Sequence, residues 1–112
     1  MSIDCKDKRF FLSGPMSGVP LNNVQNFARV HAELKTRGAG PIFDPAIMWV
    51  NETKSEESHE HWMRICLNML ITLDYDYVVM LVGWEDSDGA KLEHDVAKAC
   101  GMNIIEEPEL GL

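Results

Sequence analysis

A single acidic residue interrupts an otherwise apolar face of a predicted helix near the end of the sequence. That residue is Glu93, and the small or apolar positions that share its face at helical spacing are Gly89, Val96, Ala97 and Cys100. A carboxylate there would be partly buried near the start of the helix, where the helix dipole favours its negative charge. Because perturbed carboxylates concentrate at functional sites, Glu93 is the first candidate for chemistry. The structural alternative is that Glu93 caps neighbouring amides or pairs with Arg9 or Arg64.

Two glycine-containing loops could bring further groups to Glu93. They cover residues 13–18 and 83–89, and each follows a short apolar run of strand length. In an open parallel sheet, ligands bind where the loops after the strands meet, beside the point at which the strand order reverses. We therefore predict an active site between these two loops, with Glu93 on the helix that follows the second loop.

The spacing of apolar residues predicts strands that alternate with helices. The predicted strands cover residues 9–12, 41–43, 77–82 and 103–105. The first predicted helix is capped by Asn22 or Asn23 and closed by Gly38. The other two helices cover residues 59–73 and 89–100. A polar surface loop covers residues 51–60. Right-handed crossovers favour the strand order 2-1-3-4. The sequence thus predicts one doubly wound, flavodoxin-like α/β domain over residues 1–112.

The second predicted helix is apolar on nearly every side. Only Arg64, Asn68 and Thr72, spaced by four residues, form a narrow polar stripe. A helix of this kind is covered on more than one side, and in a small protein the second cover can be another subunit. We therefore expect a homodimer or a higher homo-oligomer.

The overall composition excludes several classes of function. The 112 residues are 46% hydrophobic, which is enough for one core, and ten basic against eighteen acidic residues give a net charge of −8. Polymeric nucleic acid would be repelled by that charge. No apolar run approaches the roughly 20 residues of a membrane helix, and no signal segment is visible, so we expect no membrane partner and a cytoplasmic location.

No cluster of residues predicts a metal site or a disulfide framework. Cys5, Cys66 and Cys100 are an odd set without CxxC spacing, which is typical of reduced cysteines. His59 and His61 are two residues apart and cannot face one metal ion from a helix. The acidic residues near Glu93 are typical of turns and helix starts. We expect no metal and no cofactor.

Two segments of the sequence resemble a known family. The run from Phe11 to Gly18 (FLSGPMSG) and the run from Gly83 to Glu93 (GWEDSDGAKLE) are similar to the nucleoside 2-deoxyribosyltransferase superfamily, nearest to its short phage and bacterial members. The resemblance covers nearly the whole chain. It implies hydrolysis or base transfer at the N-glycosidic bond of a deoxynucleoside or its 5′-monophosphate. It also implies that Glu93 attacks the anomeric carbon and forms a covalent deoxyribosyl-enzyme.

The resemblance assigns substrate contacts to both loops. They are Ser13, Gly14, Pro15 and Met16 in the first loop and Trp84, Ser87, Gly89 and Ala90 in the second. Ser87 stands where nucleotide hydrolases of the superfamily carry a serine, which favours a 5′-phosphate; the alternative is a simple turn residue. The backbone N–H groups of Gly89 and Ala90 could bind the same anion.

The aromatic residues leave one alternative open. Trp84 lies beside the predicted crevice, where it either stacks on a nucleobase or closes the end of the sheet. We interpret Trp49 and Trp62 as packing residues and His31 as a histidine at the edge of the core.

Three positions depart from the family pattern. Phe11 replaces a tyrosine, Ser17 replaces an arginine of the vertebrate nucleotide hydrolases, and Asn68 replaces an acid–base aspartate, although Asn68 remains the second catalytic candidate. An amide cannot exchange a proton as a carboxyl group does. A non-catalytic nucleotide-binding module is therefore the alternative function. A flavin-binding electron carrier rests on the topology alone.

Overall fold

The core of the protein is a parallel sheet whose strand order reverses at its centre. The computed structural model describes residues 3–51 and 58–111, and in them four strands are arranged in the order β2-β1-β3-β4. The strands are β1 (Phe10–Ser13), β2 (Ile42–Phe43), β3 (Tyr77–Met80) and β4 (Ile104–Glu106). All three neighbouring pairs are parallel. The predicted α/β fold and strand order are confirmed.

Helices cover both faces of this sheet. They are α1 (Val24–Thr36), α2 (Pro45–Asn51), α3 (His59–Thr72) and α4 (Asp88–Ala99), with 3₁₀ turns at Pro20–Asn23, Trp84–Asp86 and Glu107–Leu110. Of the polar loop predicted over residues 51–60, residues 52–57 lie outside the described part of the chain. No described helix has the length and apolar character required to cross a membrane.

The alternation of side chains along β1 separates two hydrophobic layers. Phe10 and Leu12 pack in a cluster that includes Phe27, Val30 and Leu34 of α1. Phe11, on the opposite face, packs in a cluster that includes Leu70 of α3 with Ala90 and Ala97 of α4. Because side chains alternate in a strand, Ser13 points to the same side as Phe11. The last residue of β1 is thus directed toward α4.

Helix α2 was not predicted from the sequence. The pair Asp44-Pro45 directly follows the strand predicted over residues 41–43, and this helix starts at Pro45. The Asp44 Oδ1 atom accepts hydrogen bonds from the backbone N–H groups of Ala46 and Ile47, at 3.0 and 3.2 Å. Proline is well suited to the first turn of a helix because it has no N–H group to satisfy. The other carboxylate oxygen of Asp44 lies 2.9 Å from His31 Nδ1, within hydrogen-bond distance.

The start of α1 differs from the expectation. Leu21, Asn22 and Asn23 have φ values of 51°, 50° and 64°, so three consecutive non-glycine residues are in the left-handed region. Neither asparagine caps the helix with its side chain; Asn23 Oδ1 instead accepts a hydrogen bond of 2.6 Å from Asn26 Nδ2. Consecutive residues in this sparsely populated region store backbone strain, which is common beside ligand sites.

Candidate active site

Glu93 lies in the interior, next to the end of the central strand β1. Its side chain is on α4 and the residue is only 6% exposed. The hydroxyl of Ser13 donates a hydrogen bond of 2.6 Å to Glu93 Oε1, and Ser13 is fully buried. The short distance and the burial fix the orientation of the carboxyl group, because a charge-assisted bond of this kind is stronger than a neutral one.

No cation within the described residues compensates this carboxylate. Neither Arg9 nor Arg64 forms an ion pair with Glu93, so the predicted structural alternative of such a pair is wrong. Burial raises the pKa of Glu93 from 4.5 to about 7, although the Ser13 hydrogen bond acts in the opposite direction. A buried carboxyl group that titrates near neutral pH is unusual for a purely structural residue.

A cavity of about 220 Å³ opens beside Glu93. Its walls come from the loop after β1, from the start of α4, and from α2 and α3. The lining residues are Gly14, Met16, Ser17, Asn22, Pro45, Trp49, His59, Trp62, Met63, Cys66, Ser87, Gly89, Ala90 and Glu93. First-turn residues of α2, α3 and α4 contribute to this lining, namely Pro45, His59, Gly89 and Ala90. The described lining contains no lysine and no arginine.

Most of the predicted substrate-binding residues line this cavity. Gly14 and Met16 of the first loop lie there with Ser87, Gly89 and Ala90 at the start of α4. The two loops therefore meet as predicted, beside the point where the strand order reverses.

Two further residues of the first loop lie just behind the cavity surface. Ser13 contributes through its bond to Glu93 and does not itself line the cavity. Pro15 packs beside Gly83, where a Cβ atom added to the glycine would lie 3.5 Å from the proline ring. Pro15 thus supports the contact between the two loops and does not face the cavity.

Neighbouring side chains pack closely against two glycines of the site. A Cβ atom at Gly14 would lie 2.8 Å from Leu81 Cβ, and one at Gly89 would lie 2.9 Å from Met63 Sδ. Real Cβ atoms do not approach other atoms so closely. These glycines therefore allow the first loop to approach the strand end and α3 to pack against the first turn of α4.

Ser87 has a structural role in addition to its position on the cavity wall. Its hydroxyl oxygen accepts a hydrogen bond of 3.2 Å from the Ala90 N–H group and so caps α4. The Ala90 N–H group is thereby already engaged, whereas the Ser87 hydroxyl donates no hydrogen bond within the described part of the chain. Of the donors predicted for a phosphate, Ser87 Oγ and the Gly89 N–H group remain candidates.

The position of Trp84 favours packing over base stacking. Its ring stacks on His94 with centroids 4.5 Å apart, and its Nε1 atom donates a hydrogen bond of 3.0 Å to Glu106. Trp84 does not line the cavity. The aromatic rings at the cavity are instead Trp49 and Trp62, which were interpreted from the sequence as packing residues. Trp49 could not be placed from the sequence because α2 was not predicted.

The predicted catalytic candidate Asn68 lies outside the cavity described here. It is exposed on α3 and does not line the cavity. The residue that α3 directs toward Glu93 is Cys66, because two positions along a helix correspond to a rotation of about 200°. Burial, together with the charge of Glu93, raises the pKa of Cys66 to about 12. The thiol therefore stays protonated at neutral pH.

The other two departures from the family pattern have different consequences. Phe11 is fully buried and stacks on Phe43 with centroids 4.8 Å apart, so its missing hydroxyl concerns the core and not the cavity. Ser17 lines the cavity without bringing a positive charge. In the described residues, the cavity therefore combines one carboxylate with the first turns of three helices and has no lysine or arginine on its wall.

These features define a doubly wound α/β protein with a buried glutamate at the reversal point of its sheet. Over residues 8–106 the chain matches the family described as a domain of unknown function, DUF4406, and it belongs to that family. No curated protein and no solved structure matches the chain significantly.

Proposed function

We propose that the protein cleaves the N-glycosidic bond of a deoxynucleoside or its 5′-monophosphate, with Glu93 as the nucleophile. The observation that carries the proposal is the geometry of Glu93, a carboxyl group without a cationic partner among the described residues, oriented by Ser13 at the wall of a cavity. Buried charges are usually paired with an opposite charge, whereas the partner of Glu93 among the described residues is the neutral Ser13 hydroxyl. The sequence resemblance to the deoxyribosyltransferase superfamily supports the same role.

The hydrogen bond from Ser13 gives the two carboxylate oxygens of Glu93 different roles. Oε1 accepts the serine hydrogen, and Oε2 has no hydrogen-bond partner among the described residues. In the proposed first step, Oε2 attacks the anomeric carbon, the C–N bond breaks, and the base departs with the bonding electron pair. A covalent glycosyl ester forms, and the reaction passes through a transition state that resembles an oxocarbenium ion. Water or a second base then attacks the same carbon and releases Glu93.

A substrate phosphate would be bound by dipoles and hydroxyl groups. Ser87 Oγ and the first turn of α4 lie on the cavity wall, and helix N-termini bind anions through their free N–H groups. The absence of lysine and arginine from the described lining means that no fixed charge adds to this binding. We therefore propose a single nucleotide or nucleoside as the substrate, and not a polyphosphate.

The experiment is a search for base release. The protein is incubated with each deoxynucleoside and each monophosphate, and free base and exchanged nucleoside are separated by chromatography. Release that is lost in Glu93→Gln and retained in Asp95→Asn, an exposed carboxylate on the same helix, supports the proposal. No release and no exchange across the whole panel would overturn it.

One observation favours the alternative of a nucleotide-binding module. The described lining contains one carboxylate, that of Glu93. It contains no second carboxylate that could take the acid–base role of the aspartate that family members have at the position of Asn68. Saturable binding of a nucleotide without any turnover would select this alternative.

The expected assembly and location remain proposals that accompany this function. Ile71 and Leu73, at the end of α3, are 58% and 45% exposed, so a second subunit would find apolar surface there. Three free cysteines are compatible with the reducing cytoplasm. Measurement of the molecular mass in solution tests the homo-oligomer.

A further inference from the structure

The proposed reaction needs a proton donor that the sequence did not identify. A nucleobase is a poor leaving group, because it departs as a strongly basic anion unless one of its ring nitrogens is protonated. The described cavity has three residues with titratable side chains: Glu93, Cys66 and His59. Glu93 has the role of nucleophile, so the donor must be one of the other two or the solvent.

Cys66 does not suit this role. Its pKa of about 12 makes the thiol a very weak acid, and its negative form would be destabilised by the neighbouring carboxylate. Cys66 is also only 8% exposed and lies near Glu93, on the side of the nucleophile. The departing base must lie on the opposite side of the anomeric carbon, because displacement proceeds by attack opposite to the leaving group.

His59 lies at the other end of the cavity wall. Its Cε1 atom would be 3.5 Å from a Cβ atom added to Gly89, so the imidazole stands against the first turn of α4. Gly89 and Glu93 are four residues apart on α4 and share one face, which separates their levels by about 6 Å along the helix axis. The cavity therefore has the carboxyl group at one level and the imidazole about one helical turn away, toward the start of α4.

The exposure of the two groups fits two different roles. Glu93 is buried, as expected of a group that contacts the sugar, whereas His59 is exposed at the first residue of α3. Trp62, one turn further along α3, lines the same cavity and offers a flat surface for a base. His59 and Trp62 are three residues apart and therefore neighbours on one face of α3, so a base on Trp62 would lie on the α3 side of the cavity and leave Ser87 of the α4 side to a phosphate.

We infer that His59 is the residue that protonates the departing base, an inference that rests on the proposed function. As Glu93 Oε2 forms its bond to the anomeric carbon, the electron pair of the C–N bond passes to the base. A ring nitrogen of the base takes the proton of the imidazolium, which becomes neutral. The water that later attacks the glycosyl ester loses one proton, which restores the imidazolium. Histidine is the side chain most often used for such transfers.

The test compares substrates that differ in their need for a proton. Single-turnover release is measured for 2′-deoxyadenosine 5′-monophosphate and for 4-nitrophenyl 2-deoxyriboside, whose nitrophenolate leaves without protonation. The variants are His59→Gln, His59→Asn and the control His61→Gln, which changes an exposed histidine outside the cavity lining. We expect both His59 variants to lose about 10²–10⁴-fold with the purine nucleotide and less than about threefold with the nitrophenyl substrate. His61→Gln should match the wild type with both.

Each other outcome identifies what has failed. Equal losses on the two substrates, or equal losses in His61→Gln, would overturn the role of His59 and indicate a structural effect. Unchanged release of adenine by both His59 variants would overturn it as well. If Glu93→Gln abolishes release in those experiments, the proposed function survives without His59. If the wild type releases neither product, the proposed function falls and the role of His59 falls with it.

Discussion

Ser13, at the end of β1, and Glu93, on α4, are 80 residues apart in the chain and share a buried hydrogen bond of 2.6 Å. The bond exists because β1 and β3 are adjacent at the centre of the sheet, and α4 follows β3 back across it. Side-chain alternation in β1 then turns Ser13 toward that helix. The candidate nucleophile is thus held by the most buried part of the fold and not by a mobile loop.

Replacement of Glu93 by glutamine should remove activity and increase stability above acidic pH. The folded protein holds a proton on Glu93 up to a pKa of about 7, whereas the unfolded chain loses it near 4.5. Between these values the folded state binds more protons, so stability falls as pH rises, by at most about 3 kcal/mol. Glutamine cannot ionise and still accepts the Ser13 hydrogen bond.

The measurement is urea unfolding of both proteins between pH 4 and pH 8. The advantage of Glu93→Gln should be small near pH 4, grow through the interval, and become constant above about pH 7. The control Asp95→Asn removes an exposed carboxylate of the same helix and should show no such growth. A constant difference between wild type and Glu93→Gln at all pH values would contradict the raised pKa.

Replacement of Ser13 by alanine should displace the pH dependence of catalysis. The serine hydrogen bond lowers the pKa of Glu93 against the effect of burial, so its loss raises that pKa further above 7. The ionised nucleophile then forms only at higher pH, and the midpoint of the rising limb of base release moves to higher pH. Stability should also fall by about 1–3 kcal/mol where Glu93 is ionised, because a buried oxygen loses its donor.

Ser17→Ala is the matched control for this experiment. Ser17 lines the same cavity and has no hydrogen bond to Glu93 among the described contacts. Its replacement should leave the midpoint of the pH profile unchanged. If Ser13→Ala and Ser17→Ala give the same profile as the wild type, Glu93 is not the group whose ionisation controls the rate.

The patterns that could be recognised in the sequence were local or periodic ones. The unbroken apolar run over residues 77–82 predicted strand β3, which the structure has at Tyr77–Met80, and the acidic interruption at Glu93 predicted the candidate nucleophile. The loops met as expected because the ends of adjacent parallel strands lie at one edge of the sheet. The differences between expectation and structure concern how helices are rotated and packed, which depends on tertiary contacts. The expectation for Asn68 rests on a family pattern, whereas the residue of α3 that lines the cavity next to Glu93 is Cys66.

Tertiary packing also decided the roles of the tryptophans. Trp84 lies in the loop after β3, and this sequence position suggests a ligand contact. In the structure, however, its ring stacks on His94 and its Nε1 atom donates a hydrogen bond to Glu106. Trp49 belongs to a helix whose start, Asp44-Pro45, is equally typical of a strand end. No local sequence signal at this pair distinguishes the start of a helix from the end of a strand.

Replacement of Ser87 by aspartate separates capping from phosphate binding. Aspartate caps helices as well as serine, so the stability of α4 should be preserved within about 0.5 kcal/mol. Its charge, however, would lie beside a bound 5′-phosphate. We expect monophosphate binding to weaken by roughly tenfold or more, equivalent to about 1.4 kcal/mol, while nucleoside binding changes little.

Binding should be measured by calorimetry in the Glu93→Gln background, in which we expect no turnover and in which residue 93 has no charge. Ser87→Ala in the same background is the companion variant, since it loses the cap and the hydroxyl together. Its stability should fall by about 1 kcal/mol. An equal loss of nucleoside and monophosphate affinity in Ser87→Asp would show that Ser87 does not contact a phosphate.

Two aspartate variants on α3 test the rotation of that helix relative to the site. Asn68→Asp adds a carboxylate at an exposed position outside the cavity, where solvent screens it, so base release and its pH profile should match the wild type within about twofold. Cys66→Asp adds the same group at a buried position beside Glu93. Two carboxyl groups in one buried site cannot both ionise readily, so one pKa rises and the pH profile must change.

The comparison is made by single-turnover base release across pH, with melting curves to confirm that Cys66→Asp remains folded at the assay temperature. If Asn68→Asp alters the profile and Cys66→Asp does not, α3 presents the opposite face to Glu93, and the cavity described for the folded chain is not the one in which the reaction takes place.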